Sequence, residues 1–579
     1  MAQKQKLELT WIGKENRPRL EPRILLEDPE KSFHAQEKVS ENDIFDNRLI
    51  FGDNLLALKA LEQEFAGKVK CIYIDPPFNT HQQFPFFEDG LEHSRWLSLV
   101  RDRIVILHRL LSPDGTLFVH IDDNELAYLT VLLDELLGRE NRIHLITFQQ
   151  GSATGHKAIN PGCVNTTNFV LIYAKDKSSW QPKKIFTGRE RDKRYTQFIE
   201  NRNASHSQWR FSTLMAAFAN FVGETPQAMK RSLSKFDLEE KLNSFVIENA
   251  NSVIQFARPD YDAVSSSARA MIDLSKSRPS EIFLLERKEH SNMYFKGGQR
   301  ILFYIDKVKI FNGVPVSGEP LTTLWDDILS NNLHNEGGVE FPKSKKPEAL
   351  IERVIELATK RGEIVLDSFA GSGTTGAVAH KMGRRWIMVE LGDHIHTHII
   401  PRMVKVVNGT DPGGITESAN WKGGGGFRYF RLAPTLIEQD RFGMKIISKQ
   451  YNPAMLAEAM CKLLGYKYAP NPEVYWQHGQ STEKDYLYIT TQTLSHEQLA
   501  QLSEEVGEDR TLLVCCCAFR GKAAMFRNLT VQKIPSAVLD KCEWGHDDYS
   551  LQVANLPQAP KPAPPPQMAL FGNGTAQQE

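Results

Sequence analysis

Two separated stretches of the chain alternate short apolar runs with longer segments of helical spacing. In the first, residues 49–51 predict a short strand, Asn54–Phe65 a helix and Val69–Ile74 a buried strand. Residues 95–111 predict a helix ended by the turn Ser112-Pro113-Asp114-Gly115, then a strand over 116–121. A helix over 123–137, stopped by Gly138, precedes strands over 143–148 and 169–174. The rhythm lapses near Lys175 and resumes near Pro347. There it predicts helices over 347–361 and 374–382, strands over 363–366 and 386–389, and a last helix over 394–407. Such alternation builds a parallel-type sheet covered by helices. A doubly wound α/β domain is therefore expected, with a seven-strand, Rossmann-like sheet assembled from both stretches.

Domain boundaries fall where the rhythm changes. Residues 1–45 read as an N-terminal extension, 46–176 and 331–410 as the two halves of the sheet domain, and 177–330 as an inserted module. Residues 411–434 read as a glycine-rich connector, 435–555 as a smaller α+β domain, and 556–579 as a disordered proline-rich tail. A length of 579 residues suits roughly three to four domains.

The composition, 41% hydrophobic and 24% charged, is that of an ordinary soluble globular protein. No apolar run is long enough to span a bilayer, and the N-terminus lacks the core of a signal peptide, so a cytoplasmic location without membrane contact is expected. The seven cysteines show no zinc-ribbon spacing, and Cys515-Cys516-Cys517 continues an apolar run that reads as a buried strand. His394, His396 and His398 would diverge on a helix, so no metal site is expected. A net charge of −1 excludes a polycation, and any nucleic-acid partner must be argued from local charge.

Asp367-Ser368-Phe369-Ala370-Gly371-Ser372-Gly373-Thr374 follows a predicted strand and opens a helix. Its glycines permit a sharp turn and close approach of the backbone to a ligand. Glu390 ends the next strand, where an acid can hold ribose hydroxyls. Gly371, Gly373 and Gly376 also satisfy a dinucleotide fingerprint, so this loop alone leaves a nicotinamide enzyme and a methyltransferase open.

The loop Asp75-Pro76-Pro77-Phe78 separates the two. It leaves an apolar strand at the carboxyl edge, where open α/β sheets bind ligands. An exocyclic amine on a base is a poor nucleophile, because its lone pair is delocalised into the ring. Asp75 can accept one amino hydrogen, and the Pro76 carbonyl, held by the stiff Pro76-Pro77 pair, can accept the other. Both bonds favour a pyramidal nitrogen. Phe78 offers a flat face to an extruded base. No covalent intermediate is required, and a dehydrogenase would give these residues no task.

Together the motifs resemble the amino-methyltransferases of DNA, in the permuted β-class order that puts the catalytic loop before the cofactor loop. The likeness is greatest to the modification (Mod) subunits of type III restriction-modification systems. It is carried by Gly52-Asp53-Asn54-Leu55, Lys346-Pro347 and Gly425-Gly426-Phe427-Arg428-Tyr429, and covers about 45–435. The resemblance implies S-adenosylmethionine as cofactor, lined by Asp367, Ser368, Phe369, Gly371 and Gly373. Thr374 would cap the following helix, Glu390 bind the ribose, Asp53 meet the cofactor's adenine amino group, and Lys346 and Pro347 flank its methionine part. An acid at Asp75 resembles the adenine-N6 members, and cytosine N4 is the alternative. Phe78 replaces the commoner tyrosine and keeps its stacking face.

The family's architecture implies that the insert reads double-stranded DNA. Lys183, Lys184, Arg189, Arg191, Lys193 and Arg194 cluster with Tyr195, Phe198, Arg202, Trp209 and Arg210, a pattern suited to phosphate contact and stacking. Lys296-Gly297-Gly298-Gln299-Arg300 reads as a hairpin loop within reach of a groove. Because no Walker loop is present, ATP-driven cleavage would need a separate restriction or defence subunit. A second copy of the chain is a further candidate partner, and Gln567-Met568-Ala569-Leu570-Phe571 resembles peptides that dock on the bacterial sliding clamp. The expectation is a nucleoid-associated adenine-N6 DNA methyltransferase of restriction-modification or phage defence. A DNA-binding specificity subunit is the alternative from another class.

Overall fold

The computed structural model describes residues 8–79, 92–151, 163–188, 190–288, 290–311, 314–328, 333, 336–341, 345–547 and 549. Eleven strands form the main sheet. Numbered along the chain within this sheet they are β1 (Leu25–Glu27), β2 (Phe33–His34), β3 (Asn47–Phe51), β4 (Val69–Ile74), β5 (Leu111–Ile121), β6 (Arg142–Gln149), β7 (Thr167–Ala174), β8 (Leu324–Trp325), β9 (Ile364–Asp367), β10 (Arg385–Glu390) and β11 (Gly426–Leu432). Their spatial order is β1-β11-β3-β10-β9-β4-β5-β7-β6-β8, with β2 beside β11.

Strands β3, β10, β9, β4, β5, β7 and β6, the seven expected from the two apolar rhythms, lie next to one another in that order. Four more extend the sheet, for a physical reason visible at its edges. Beyond β3, the strand β11 continues the parallel run and buries Phe427, Tyr429 and Phe430. Strands β1 and β2 then cover β11 antiparallel. Residues 411–434 are thus not all connector, and part of 1–45 belongs to the sheet. At the other edge β8 pairs parallel with β6 and buries Trp325, so the insert ends before 324.

Successive residues of β4 face opposite cores. Ile72 and Ile74 pack with Trp96, Ile104 and Leu129 from α2 (His93–Leu110) and α3 (Leu126–Leu133), beside α1 (Asn54–Phe65). Cys71 and Tyr73 pack with Leu350, Val378 and Met403 from α4 (Glu348–Ala358), α5 (Thr374–Lys381) and α6 (Ile400–Val407). A strand apolar on both faces is what a helix-covered parallel sheet demands. Parallel pairing puts Leu366 of β9 opposite Ile72 of β4, so the loops after β9 and β4 leave side by side at one edge.

The insert carries a six-stranded sheet and a three-stranded sheet, around a core of Tyr195, Phe218, Phe245 and Tyr304. A five-stranded sheet with helices Pro453–Leu464 and His496–Val506 forms the C-terminal domain. Cys515 and Cys516 are buried in its strand Thr511–Cys516 and face different cores, whereas Cys517 is exposed. Among the described residues no helix is long and apolar enough to cross a membrane.

Candidate active site

Strand β4 ends at Ile74, and Asp75 follows with its side chain against Lys346, whose ammonium donates to Asp75 Oδ2. Asp75 Oδ1 is buried with no partner among the described residues. Burial raises the Asp75 pKa above the usual carboxylate value, and the Lys346 charge opposes that rise. The Lys346 ammonium also lies 4.9 Å from the centre of the Phe78 ring. Trp96 Nε1 donates to the Pro77 carbonyl at 2.7 Å, which fixes the loop next to the Pro76 carbonyl.

Below the loop, the Phe78 ring packs 5.7 Å from the His120 ring. Tyr73 Oη lies 2.9 Å from His120 Nδ1, and the Asn168 amide 3.2 Å from His120 Nε2. With Asn168 donating to Nε2, the ring proton sits on Nδ1 and points at the tyrosine oxygen. Burial holds the His120 pKa well below its usual value, so the imidazole is neutral and acts as a rigid support.

Asn79 adopts a left-handed backbone with φ of 61°, and its amide donates to the fully buried Glu125 at 2.6 Å. His93 Nδ1 lies 2.8 Å from the same oxygen. Sequence reasoning missed Glu125, Asn79, Trp96 and His120. The one signal was position, since His120 and Glu125 lie at the carboxyl end of β5, next to β4. Glu125→Ala would leave the Asn79 amide buried and unpaired at a cost of about 1–3 kcal/mol, and would loosen the Phe78 plane. Methyl-transfer kinetics should show a lower kcat for Glu125→Ala and near-normal kcat for Glu125→Gln, which keeps an acceptor.

The loop after β9 is shaped by its own polar atoms. Asp367 Oδ1 accepts from the Phe369 amide at 2.9 Å and Oδ2 from Thr375 Oγ1 at 2.6 Å. Gly371, at φ of 51°, donates its N–H to Glu390 Oε2 at 2.8 Å. Glu390 Oε1 accepts from the amides of Leu391 and Gly392 at 3.0 and 2.9 Å. A Cβ on Gly376 would collide with Met388. Thr374 does not cap α5 as the resemblance implied, because the cap position belongs to Gly373, at φ of 75°. Thr374 Oγ1 instead accepts from Arg402 at 2.8 Å and lies 3.5 Å from the Lys346 carbonyl. Lys346 thus has its backbone at the glycine loop and its charge at the Asp75 carboxylate, while Pro347 occupies the cap position of α4.

Asp53 departs from its carried-over role. It caps α1, with Oδ1 accepting from Leu55 and Leu56 at 2.9 and 3.0 Å. Its Oδ2 accepts from Arg103 at 3.3 Å and from the Tyr549 amide at 3.0 Å. A carboxylate engaged in this way already has its acceptor positions filled. The neighbouring Asn54 amide ties α1 to the Ser368 carbonyl at 2.7 Å.

Burial pushes the Asp367 carboxyl up to about 7, with the nearby Asp75 and Glu390 charges adding to it against the Thr375 and Phe369 bonds. A folded-state pKa above the unfolded value near 3.9 means that stability falls as pH rises from about 4 to about 7. Asp367→Asn removes that ionisation. Its melting temperature should therefore exceed that of the native chain at pH 8 and approach it at pH 5.

A family model described as DNA methylase matches residues 69–401 of the 579. The chain belongs to this DNA methylase family. It is 32% identical to the probable type III restriction-modification enzyme HindVI Mod subunit of Haemophilus influenzae over 67% of this chain and 54% of that protein. It is 27% identical to the EcoPI Mod subunit of Escherichia phage P1 over 65% of this chain and 61% of that one. For the EcoP15I Mod subunit of Escherichia coli the figures are 24%, 66% and 63%. The chain thus spans less than two thirds of the length of these curated relatives.

In this member of the DNA methylase family the basic residues of the insert separate into two kinds. Arg191 is mostly buried, bonds Asn243 and Glu239 at 3.0 Å each and holds the helix Lys235–Glu248, so it is scaffold rather than a free phosphate contact. Lys183 pairs with Glu356 of α4 at 2.5 Å. Lys296 caps the carbonyls of Pro279 and Ser280 at 3.2 and 2.7 Å, and Arg300 is half-buried. Arg202 lies over the Trp209 and Phe303 rings at 4.5 and 4.8 Å. Lys184, Lys193 and Arg194 are exposed, and Arg194 bonds Asp192. Arg189 and the clamp-like peptide Gln567-Met568-Ala569-Leu570-Phe571 lie outside the described residues. The residues 293–303 do form a hairpin, turned by Gly297 and Gly298 with φ of 56° and 79°.

Proposed function

We propose that this chain transfers a methyl group from S-adenosylmethionine to N6 of an adenine extruded from double-stranded DNA. The observation that carries the reading is Asp75. Just past the end of β4, beside the glycine loop after β9, it presents a buried carboxylate oxygen without a partner among the described residues. The glycine loop fits the cofactor. Among the described residues Ser368 Oγ is buried without a partner, and a Cβ on Gly371 would meet only the Phe369 carbonyl, at 3.8 Å, so there is room above the turn. Glu390 and the loop amides would hold the ribose side, and the loop after β9 the methionine side.

When bound, S-adenosylmethionine supplies a methyl group activated by a sulfonium. The chain's residues do the rest. Asp75 and the Pro76 carbonyl accept the two amino hydrogens and turn the nitrogen lone pair toward the cofactor loop. Phe78, backed by His120, stacks the base. Orientation and polar groups fixed in advance supply most of the rate.

The insert supplies target recognition in this reading, with Lys184, Lys193 and Arg194 as exposed contacts. The similar proteins are named Mod subunits of type III restriction-modification enzymes, which supports a restriction subunit as partner, and a DNA substrate would place the chain on the nucleoid. Incubation with isotopically labelled S-adenosylmethionine and DNA, followed by nuclease digestion and mass spectrometry, tests the claim. N6-methyladenine is expected. N4-methylcytosine would reassign the base, and binding of DNA without any transfer would make the chain a specificity subunit.

A further inference from the structure

Lys346 stands where the target base must go. Its ammonium donates to Asp75 Oδ2 and lies over the Phe78 ring, 4.9 Å from its centre. Under the methyltransferase reading, on which this inference rests, an extruded adenine makes the same two contacts. Its amino group donates to Asp75, and its ring stacks on Phe78. The amino group can use Asp75 Oδ1, which has no partner among the described residues, but the ring and the ammonium cannot share one face of Phe78. Lys346 is also buried, and its carbonyl lies 3.5 Å from Thr374 Oγ1 at the start of α5. Rotation about its side-chain torsions alone would carry the charge from the catalytic carboxylate toward the glycine loop.

We propose that Lys346 is a place-holder for the target base, and that its ammonium withdraws from Asp75 and Phe78 when the carboxylate of the S-adenosyl cofactor offers it another anion. The physical logic has two parts. A buried carboxylate with no cation beside it favours its protonated form, and a protonated Asp75 would donate where it must accept. The ammonium keeps it ionised until the base arrives. A neutral amino group cannot replace a buried positive charge, so the ammonium needs a second anion before it can leave. The cofactor's carboxylate meets that need, which couples cofactor binding to base entry. Lys346 is therefore a positioning residue rather than a catalytic one.

The test uses the full chain and duplex DNA carrying 2-aminopurine beside the target adenine, whose fluorescence rises when the neighbouring adenine is extruded. The recognition sequence comes from sequencing the modified DNA of cells that express the chain. The native chain should leave the probe dark without cofactor and bright with S-adenosylhomocysteine. Lys346→Met and Lys346→Gln should each give, without cofactor, the brightness that the native chain reaches only with it. A native chain that is bright without S-adenosylhomocysteine overturns the proposal, and needs no variant. So do folded variants that stay dark. If the native chain transfers methyl groups and either of those results appears, the place-holder alone fails. If it transfers none to any DNA, the methyltransferase reading fails and takes the place-holder with it.

Discussion

Asp75→Asn should lower kcat for methyl transfer about 10³-fold, with the dissociation constant of S-adenosylmethionine little changed. The substitution keeps the volume but leaves the buried Lys346 ammonium facing a neutral amide, so a lower melting temperature should accompany the loss of transfer. It removes an acceptor from the reacting amine and puts an NH₂ donor in its place. That donor would face the amino hydrogens it should receive, so the loss exceeds what a missing contact alone would bring. The glycine loop and Glu390 do not bond Asp75, which is why cofactor affinity should survive. Equilibrium binding of the cofactor and single-turnover transfer, measured on the same preparation, separate the two effects. Retained transfer would remove Asp75 from the mechanism. The acid limb of the pH–rate profile carries a second signature. Burial raises the Asp75 pKa, so activity should fall at a pH above the range of an ordinary aspartate.

What the sequence disclosed, and what it hid, divides along one physical line. Periodic burial is written locally. The apolar runs of β4, β5, β9 and β10 gave those strands, and their parallel order follows from the helices between them. The two loops were legible because proline and glycine restrict the backbone itself. Edge strands were not. Strand β11 carries an ordinary apolar run after a glycine tract, and only the exposed side of β3 gives it a place. The N-terminal strands were hidden for the same reason, since β1 and β2 exist only once β11 is there to pair with. Side-chain partners were hidden still more. Nothing near Asp53 announces that Arg103 and Tyr549 will fill its second oxygen. Arg191 and Lys193 look alike in the sequence, yet Arg191 is mostly buried on Glu239 at 3.0 Å, while Lys193 reaches the same carboxylate at 3.8 Å from an exposed position. Glu125 drew no attention because its importance lies in Asn79, a residue of another loop.

Glu348→Ala should destabilise the sheet domain by about 3–5 kcal/mol and lower its melting temperature by roughly 6–20 °C. Glu348 is fully buried at the start of α4, and its two oxygens meet Arg402 and Lys381, each at 2.7 Å. It also accepts from the Ile415 amide at 3.0 Å. Burial alone would raise its pKa, but Arg402 and Lys381 more than offset that and hold it below the usual value. The stabilisation is therefore present above the unfolded pKa near 4.3 and is lost as pH falls below it. Removing the carboxylate strands the Arg402 guanidinium, and leaves the Lys381 ammonium with Asp411 alone, at 2.6 Å. Arg402 is the link to function. It also donates to the Ser372 carbonyl at 3.2 Å and to Thr374 at 2.8 Å, so it clamps the glycine loop to the segment that carries Lys346. Loss of Glu348 should consequently weaken S-adenosylmethionine binding as well as stability. The double variant Glu348→Leu with Arg402→Met removes both buried charges together. It should recover much of the lost melting temperature, because an apolar pair needs no compensation. It should not recover cofactor affinity, because the clamp on Ser372 and Thr374 is gone. Recovery of both would show that the loop holds itself and that the network serves the core alone.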